Sequence, residues 1–247
     1  MWIWQWQQTE GGNAAAIVAR ARAAGLSQVW VRIGDSFNGF YGAQILTALV
    51  PAAHAAGIKV VGWGFPYLYD PVGDAAWTAQ ALAWSGPGGA AIDAFSPDIE
   101  RPSEGVALDA RRVAVYLQAV RRSAGDRTIV ATVYPPLDSY WVGGAYPFAT
   151  EAKYVDAFAP MIYWECTDPG ADAAAAIARL ATLRPVHLIG EAFNFAGVGR
   201  AVSPSGAEIL RFLDVGRRAG AIGASLYVWQ DADPDEWSAL TAYPWSG

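Results

Sequence analysis

Two carboxylates at the end of an apolar run are the residues in this sequence best suited to chemistry. Residues 94–100 read Ala-Phe-Ser-Pro-Asp-Ile-Glu, so the run ends on Asp98 and Glu100. Side chains at positions i and i+2 of a β-strand point to the same face, and both carboxylates should project together from the strand's carboxyl end. Paired, half-buried carboxylates repel each other unless one of them keeps a proton near neutral pH. A proton held in this way can be donated to a ligand.

Strands and helices alternate along the sequence in a pattern typical of a parallel sheet covered by helices. Eight apolar runs are predicted to be strands: residues 2–7, 28–33, 58–65, 94–100, 128–133, part of 153–164, 186–193 and 223–230. The helices predicted between them include residues 14–24, 43–56, 74–84, 109–124, 168–183 and 204–219. Eight strands and about eight helices predict one (β/α)8 TIM barrel domain over residues 1–247.

In such a barrel the chemistry takes place at the carboxyl ends of the strands, where the connecting loops meet at one mouth. Carboxylates and aromatic rings are frequent at these predicted positions. The acids predicted to act in catalysis are Asp98, Glu100, Glu165 and Glu191. The residues predicted to bind substrate are Asp35, Trp63, Tyr67, Tyr134, Tyr163, Trp164, Trp229 and Gln230. Acids combined with aromatic rings favour the cleavage of sugars.

The composition favours a neutral or weakly charged ligand. The chain has 12 Trp and 11 Tyr, and flat aromatic faces pack against the C–H faces of sugars while their N–H and O–H groups supply polar contacts. The net charge is -6 and the basic residues are scattered, which argues against nucleic acid as a partner. We therefore expect a polysaccharide or oligosaccharide substrate.

The sequence contains no motif for a cofactor. Neither a Gly-x-Gly-x-x-Gly after the first strand nor a Gly-x-x-x-x-Gly-Lys occurs, so no nucleotide is predicted. The two histidines, His54 and His187, cannot form a histidine-rich metal site, and a single cysteine, Cys166, cannot form an internal disulfide. No metal and no other cofactor is predicted.

Neither a membrane span nor a signal peptide is predicted. No segment reaches the roughly 18 to 20 apolar residues that cross a bilayer. Residues 1–6 lack the basic start and apolar stretch of a signal peptide. The localisation is therefore open, and an extracellular or cell-wall location is expected if the chain is a domain of a longer secreted protein.

The strand ends resemble those of barrel glycoside hydrolases, most nearly the chitinase-like family 18. That family has Asp-x-Asp-x-Glu on strand four, Met-x-Tyr-Asp on strand six and a Trp at the end of strand eight. The corresponding residues are 96–100 (Ser-Pro-Asp-Ile-Glu), 161–164 (Met-Ile-Tyr-Trp) and 227–229 (Tyr-Val-Trp). The resemblance implies that Glu100 is the general acid and that Asp98 orients the substrate's amide or steers Glu100. It also implies that Tyr163 contacts the sugar at the cleavage point and that Trp229 forms the floor of the sugar site.

Two residues depart from the family 18 pattern. Ser96 stands where the family has its inner Asp, and Trp164 stands where an Asp follows the Tyr, with Glu165 one place later. These differences weigh against the family's amide-assisted mechanism but leave acid catalysis by Glu100 in place.

Two weaker resemblances point to other barrel glycosidases. Residues 98–100 and 228–230 are similar to the family 25 lysozymes, although the Asp of their first strand is missing from residues 2–7. Residues 189–193 are similar to the nucleophile segment of the cellulase and mannanase clan, which implies a catalytic pair of Glu100 and Glu191. In that clan an Asn usually precedes the acid, and Ile99 stands there.

Other functions stay open at this stage. A barrel that binds glycan without cleaving it is the main alternative, and Ser96 and Trp164 favour it. A metal-dependent isomerase or lyase would need a ligand cluster, which Asp98, Glu100 and Glu191 could supply. Residues 197–200 are a weak candidate for a phosphate site. A purely structural role, in which Asp98 or Glu100 caps a helix or pairs with Arg101, also stays open.

Overall fold

Eight parallel strands form a nearly closed barrel, which confirms the predicted (β/α)8 fold. The structure, a computed structural model, describes residues 1–137, 146–194, 202–243 and 245; residues 197–200 of the weak phosphate prediction lie outside them. The strands are β1 (Trp2–Ile3), β2 (Gln28–Asp35), β3 (Gly39–Phe40), β4 (Lys59–Phe65), β5 (Ala94–Pro97), β6 (Thr128–Val133), β7 (Ala157–Ile162), β8 (His187–Glu191) and β9 (Gly223–Tyr227).

The barrel strands follow one another in the order β1-β2-β4-β5-β6-β7-β8-β9, and each neighbouring pair is parallel. The short strand β3 lies off this path and pairs antiparallel with β2. The backbone N–H of Trp229 donates to the carbonyl of Trp2 at 2.8 Å, which joins the end of β9 to β1.

The described residues contain eight helices around this barrel. They are α1 (Ala14–Ala23), α2 (Ala43–Ala55), α3 (Pro71–Ala83), α4 (Ala110–Ala124), α5 (Phe148–Glu151), α6 (Pro169–Leu180), α7 (Gly206–Arg218) and α8 (Pro234–Ala242). Six of these helices, α2 and α5 being the exceptions, begin at a side chain that accepts from free backbone N–H groups, as Asn13, Asp70 and Asp109 do. Over the described ranges, no helix combines the length and the apolar character that crossing a membrane requires.

The barrel interior contains large aromatic side chains, and one of them, Trp2, also lines the cavity described below. Trp2 stacks on Trp30 with ring centroids 4.5 Å apart and meets Trp63 edge-on at 5.4 Å. A second apolar layer lies between the strands and the helices, and Ile33, Phe95 and Leu188 belong to it. The two layers reflect the alternation of side chains along each strand.

Two strand glycines allow α3 to approach the sheet closely. Gly34 and Gly64 are paired across β2 and β4, and the indole of Trp77 from α3 lies over both of them. A Cβ atom at Gly64 would lie 2.5 Å from a Trp77 ring carbon and 2.8 Å from the Gly34 carbonyl oxygen. Only glycine fits this contact, which fixes the position of the β4 end at the mouth.

Four predicted strands end earlier than expected, and one of them, β8, ends at Glu191 rather than at residue 193. The first was predicted to reach residue 7 but ends at Ile3, because the chain then turns into a 3-10 helix at Trp6–Gln8. The regular ladder of β5 ends at Pro97, and β9 ends at Tyr227 rather than at residue 230. Asp98 and Glu100 therefore lie just beyond a strand end, in the segment that enters the mouth.

Candidate active site

A cavity of about 110 Å³ lies at the carboxyl ends of the strands and contains both carboxylates of the predicted pair. The described residues that line it are Trp2, Asp98, Glu100, Thr132, Tyr134, Met161, Tyr163, Ile189 and Tyr227. The acids come from the segment after β5, and the remaining residues come from β1 and from β6 to β9 or the residue that follows them.

Hydrogen bonds from neighbouring strands hold the segment that carries the acids. The N–H of Asp98 donates to the carbonyl of Gly64 at 2.9 Å, and the N–H of Ile99 donates to the carbonyl of Thr132 at 3.2 Å. The chain thus continues its extended course past Pro97. Because side chains alternate along extended backbone, Ile99 is buried in the helix-facing layer while Asp98 and Glu100 face the cavity.

Asp98 is the more deeply buried of the two acids. Asp98 is 7% exposed, and its Oδ1 atom has no hydrogen-bond partner among the described residues. Burial raises the pKa of Asp98 well above its usual range, and the negative charge of Glu100 raises this pKa further. The positive charge of Arg32 opposes both effects.

Glu100 is partly exposed, and its pKa lies near neutral pH. Burial, aided by the negative charge of Glu104, raises the pKa of Glu100 to about 7. A hydrogen bond from Tyr134 and the charge of Arg101 act in the opposite direction. The Tyr134 hydroxyl also lies 3.4 Å from Glu104 Oε1, and the Arg101 guanidinium lies 4.6 Å from the centroid of the Tyr134 ring. Glu100 can therefore hold or release a proton near pH 7.

Phenol groups surround the two acids. Tyr163 and Tyr227 have ring centroids 6.1 Å apart, and Phe193 packs against them at 5.3 and 5.9 Å. Burial raises the pKa of Tyr134, Tyr163 and Tyr227, so all three hydroxyls stay protonated at neutral pH and can both donate and accept hydrogen bonds. This combination suits a ligand rich in hydroxyl groups.

Ser96 occupies the inner position at which family 18 has an acid. Its hydroxyl is fully buried, donates to the carbonyl of Val130 at 2.6 Å and lies 2.7 Å from the Thr132 hydroxyl. The Ser96 side chain is thus part of the barrel interior, and it adds no charge beneath Asp98.

Four of the predicted aromatic residues lie outside the cavity lining, and Trp164 and Trp229 are two of them. Trp164 packs against Phe212 of α7 with ring centroids 5.3 Å apart, because it follows the inward-facing Tyr163 and so points outward. Trp229 packs against Trp237 of α8 at 4.7 Å, and its Nε1 donates to Glu10 at 3.2 Å. Tyr227, which lies two residues before Trp229 and ends β9, lines the cavity instead. The peptide bond between Tyr227 and Val228 is cis.

The other two predicted catalytic acids also lie outside the cavity lining. Glu191 is fully buried at the end of β8, and its Oε2 lies 3.4 Å from the backbone N–H of Glu165. The side chain of Glu165 is exposed. Asp98 is consequently the acid that shares a cavity with Glu100. Within the described residues, no group of three or more His, Cys, Asp or Glu side chains could hold a metal ion.

The four remaining predicted binding residues lie outside the cavity lining. The carboxylate of Asp35 accepts from the backbone N–H groups of Phe37 and Asn38. The indole N–H of Trp63 donates to the carbonyl of Ile3 at 3.2 Å. Tyr67 packs against two other aromatic rings at the mouth. The side-chain amide of Gln230 is buried without a partner among the described residues. None of these four lines the cavity, and Tyr134 and Tyr163 are the two predicted binding residues that do.

Sequence analysis missed several cavity residues. Trp2, Thr132, Met161, Ile189 and Tyr227 line the cavity without having been predicted. Strand alternation could have found two of them, since Thr132 and Met161 lie two positions before Tyr134 and Tyr163. The sequence offers no comparable signal for Trp2.

The fold is that of a (β/α)8 TIM barrel, and glycoside hydrolases are among the solved structures that share it. No protein-family model matches the sequence, and no curated protein matches it in sequence. Solved structures do match it in fold.

Three such structures illustrate the similarity. The PgaB (BpsB) glycoside hydrolase domain from Bordetella bronchiseptica has a TM-score of 0.68 at 14% identity, covering 98% of this chain and 97% of that one. A GH18 chitinase from Pseudoalteromonas aurantia has a TM-score of 0.66 at 13% identity, covering 96% of each chain. A glucosidase from Croceicoccus marinus has a TM-score of 0.63 at 11% identity over 91% of this chain, which spans 61% of that chain's length. At these identities the similarity establishes the fold.

Proposed function

We propose that the protein is a glycoside hydrolase that cleaves a polysaccharide, a cell-wall or chitin-like glycan, with Glu100 as the general acid. The observation that carries this proposal is the buried Asp98 and Glu100 pair in a phenol-lined cavity at the barrel mouth. A general acid works best when its pKa lies near the working pH, and the pKa of Glu100 is raised to about 7. The glycoside hydrolases among the similar solved structures support the same activity.

Each group at the site has a defined role in the proposed reaction. Glu100 donates its proton to the glycosidic oxygen as the bond from that oxygen to the anomeric carbon breaks, so that the leaving sugar departs as an alcohol. Asp98 supplies the second carboxyl group: while Glu100 holds the proton, its negative charge no longer raises the pKa of Asp98, and ionised Asp98 faces the positive charge that develops at the anomeric carbon. Glu100, now ionised, takes a proton from the water that completes hydrolysis. Tyr134, Tyr163 and Tyr227 bind sugar hydroxyls.

The first experiment compares the parent protein with Glu100→Gln on a panel of chitin, mannan and peptidoglycan, with release of reducing ends as the readout. General acid catalysis contributes about 10²- to 10⁴-fold, and we expect Glu100→Gln to lose at least about 10²-fold. Glu165→Gln is the matched control, because the exposed Glu165 lies outside the cavity lining, and it should retain activity. Unchanged activity of Glu100→Gln would remove Glu100 from the acid role.

A second pair of variants identifies the second carboxylate. Asp98→Asn should lose at least about 10²-fold in kcat, because Asp98 shares the cavity with Glu100. Glu191→Gln should lose less, provided that circular dichroism shows that both variants fold. The reverse order would assign the second role to Glu191. Glycan binding by the parent protein without any release of reducing ends would favour a non-catalytic glycan-binding barrel.

A further inference from the structure

Three aromatic rings pack together at the carboxyl ends of β2 and β4, and one of them, Phe37, is exposed while the other two are half-buried. Phe37 follows β2, Phe65 ends β4 and Tyr67 lies two residues further along. The ring centroids of Phe37 and Tyr67 are 4.6 Å apart, and those of Phe65 and Tyr67 are also 4.6 Å apart. Phe37 is 76% exposed. We call these three residues the aromatic platform.

A buried polar network holds the platform in place. Asp35 accepts from the backbone N–H of Phe37 at 3.0 Å, which fixes the loop that carries this ring. The Ser36 hydroxyl accepts from the N–H of Tyr67 at 2.7 Å and donates to the carboxylate of Asp74 at 2.5 Å. Asp74 is itself buried. The two loops are therefore tied to each other and to α3, so that the rings are preorganised for a ligand.

The platform joins the cavity through the loop after β5. The carbonyl of Tyr67 accepts from the N–H of Ala107 at 2.8 Å, and the Tyr67 ring lies against Gly105, where a Cβ atom would be 3.4 Å from it. The residue before Gly105, Glu104, accepts from the hydroxyl of Tyr134, which lines the cavity. A chain-like ligand that starts in the cavity can thus extend over this loop to the platform.

We infer that the aromatic platform is a second sugar-binding subsite, which holds the glycan at a distance from the bond to be cleaved; this inference rests on the proposed function. Aromatic faces pack well against the C–H faces of sugar rings. The cavity of about 110 Å³ is smaller than the roughly 300 Å³ or more of pockets that enclose a small-molecule ligand. A polysaccharide must therefore extend beyond the cavity, and the platform offers it an apolar surface that is already ordered.

The test measures binding rather than cleavage, so the probes are soluble N-acetylglucosamine oligosaccharides of two and six units and the host protein is Glu100→Gln. Isothermal titration calorimetry gives the affinity of each probe. We expect Phe37→Ala to weaken binding of the six-unit probe by about tenfold, the upper range for one aromatic contact, and to leave the two-unit probe unaffected. Phe37→Trp should retain the affinity.

Ile222→Ala is the matched control. Ile222 is 60% exposed and directly precedes β9, on the opposite face of the barrel from the mouth, so this variant should bind both probes like its host. Equal affinity of Phe37→Ala and its host for the six-unit probe, or no binding of that probe by the host, would overturn the inference. Intact binding with no release of reducing ends by the parent protein would instead contradict the hydrolase proposal alone.

Discussion

Two neighbouring residues of opposite charge shift the pKa of Glu100 in opposite directions. Glu104 raises the pKa of Glu100 and Arg101 lowers it, while burial makes the largest contribution. Arg101 and Glu104 also contact each other, with Arg101 Nε 3.5 Å from Glu104 Oε1. The proton on Glu100 therefore depends on a balance that single substitutions can shift in either direction.

Glu104→Gln and Arg101→Gln should move the pH profile of kcat/KM in opposite directions. In the proposed mechanism the acid form of Glu100 is the active one, so we expect activity to fall as pH rises through a pKa of about 7. Glu104→Gln removes a negative neighbour and should move this descending limb to lower pH. Arg101→Gln removes a positive neighbour and should move it to higher pH. Shifts of the same sign would contradict this electrostatic account.

The segment that carries both acids depends on residues outside its own strand. Beyond Pro97 it is held by single hydrogen bonds, and one of them comes from the hydroxyl of Tyr146, which donates to the carbonyl of Ile99 at 2.6 Å. Tyr146 is buried and lies just before α5. The bond reaches the residue between Asp98 and Glu100, so it fixes the direction of both side chains.

Tyr146→Phe should act on turnover rather than on substrate affinity. Loss of the hydroxyl leaves the Ile99 carbonyl without this donor, which should lower the free energy of unfolding by about 1 to 3 kcal/mol. Less exact placement of Glu100 should lower kcat by about tenfold with little change in KM. Urea unfolding and steady-state kinetics measure the two effects.

Tyr69→Phe is the control for Tyr146→Phe, since Tyr69 is 68% exposed and its variant should match the parent in both measurements. A Tyr146→Phe protein with normal kcat would show that this hydrogen bond does not position the acids.

Buried acids make the stability of the folded protein depend on pH. Burial raises the pKa of Glu151 well above its usual range and raises the pKa of Glu236 to about 8. Such a carboxyl binds a proton more tightly in the folded state than in the unfolded state. Its contribution to stability is therefore complete below the unfolded pKa of about 4.5 and is lost as pH rises through the folded pKa. The buried His187 acts in the opposite sense, because burial lowers its pKa to about 3.

Glu151→Gln isolates one of these contributions. The amide cannot ionise, so the melting temperature of the variant relative to the parent should rise as pH increases from 5 to 8. Asp126→Asn, at an exposed position, should show a difference from the parent that stays constant over the same range. A relative melting temperature of Glu151→Gln that stays constant from pH 5 to 8 would mean that Glu151 is already ionised in the folded protein.

Much of the fold could be predicted from the sequence, because the period of apolar residues and the turn residues are local signals. Helix α1 was predicted at 14–24 and spans Ala14–Ala23, and β6 has the predicted bounds. Helix α3 begins at Pro71 rather than at residue 74, since the cap formed by Asp70 followed by proline was overlooked. The end of β1 at Ile3 has no such local signal.

The site could be predicted in part, where a residue's place depends on strand position alone. Asp98, Glu100, Tyr134 and Tyr163 follow directly from the ends of their strands, and all four line the cavity. Trp164 follows the inward-facing Tyr163, so alternation alone could have placed it outside the cavity, whereas Trp229 packs against Trp237 because a distant helix buries its ring. Such long-range packing cannot be read from short motifs.

Glu100 must keep a proton at neutral pH to act as the proposed general acid, and a titration of Glu100 itself measures whether it does. Carbon-13 NMR of the glutamate carboxyl groups, with Glu100→Gln to assign the signal, measures this pKa in the free protein. We expect a pKa of about 7 for Glu100. A value near 4.5, the ordinary value of a glutamate, would leave Glu100 ionised at neutral pH and would contradict its role as the acid.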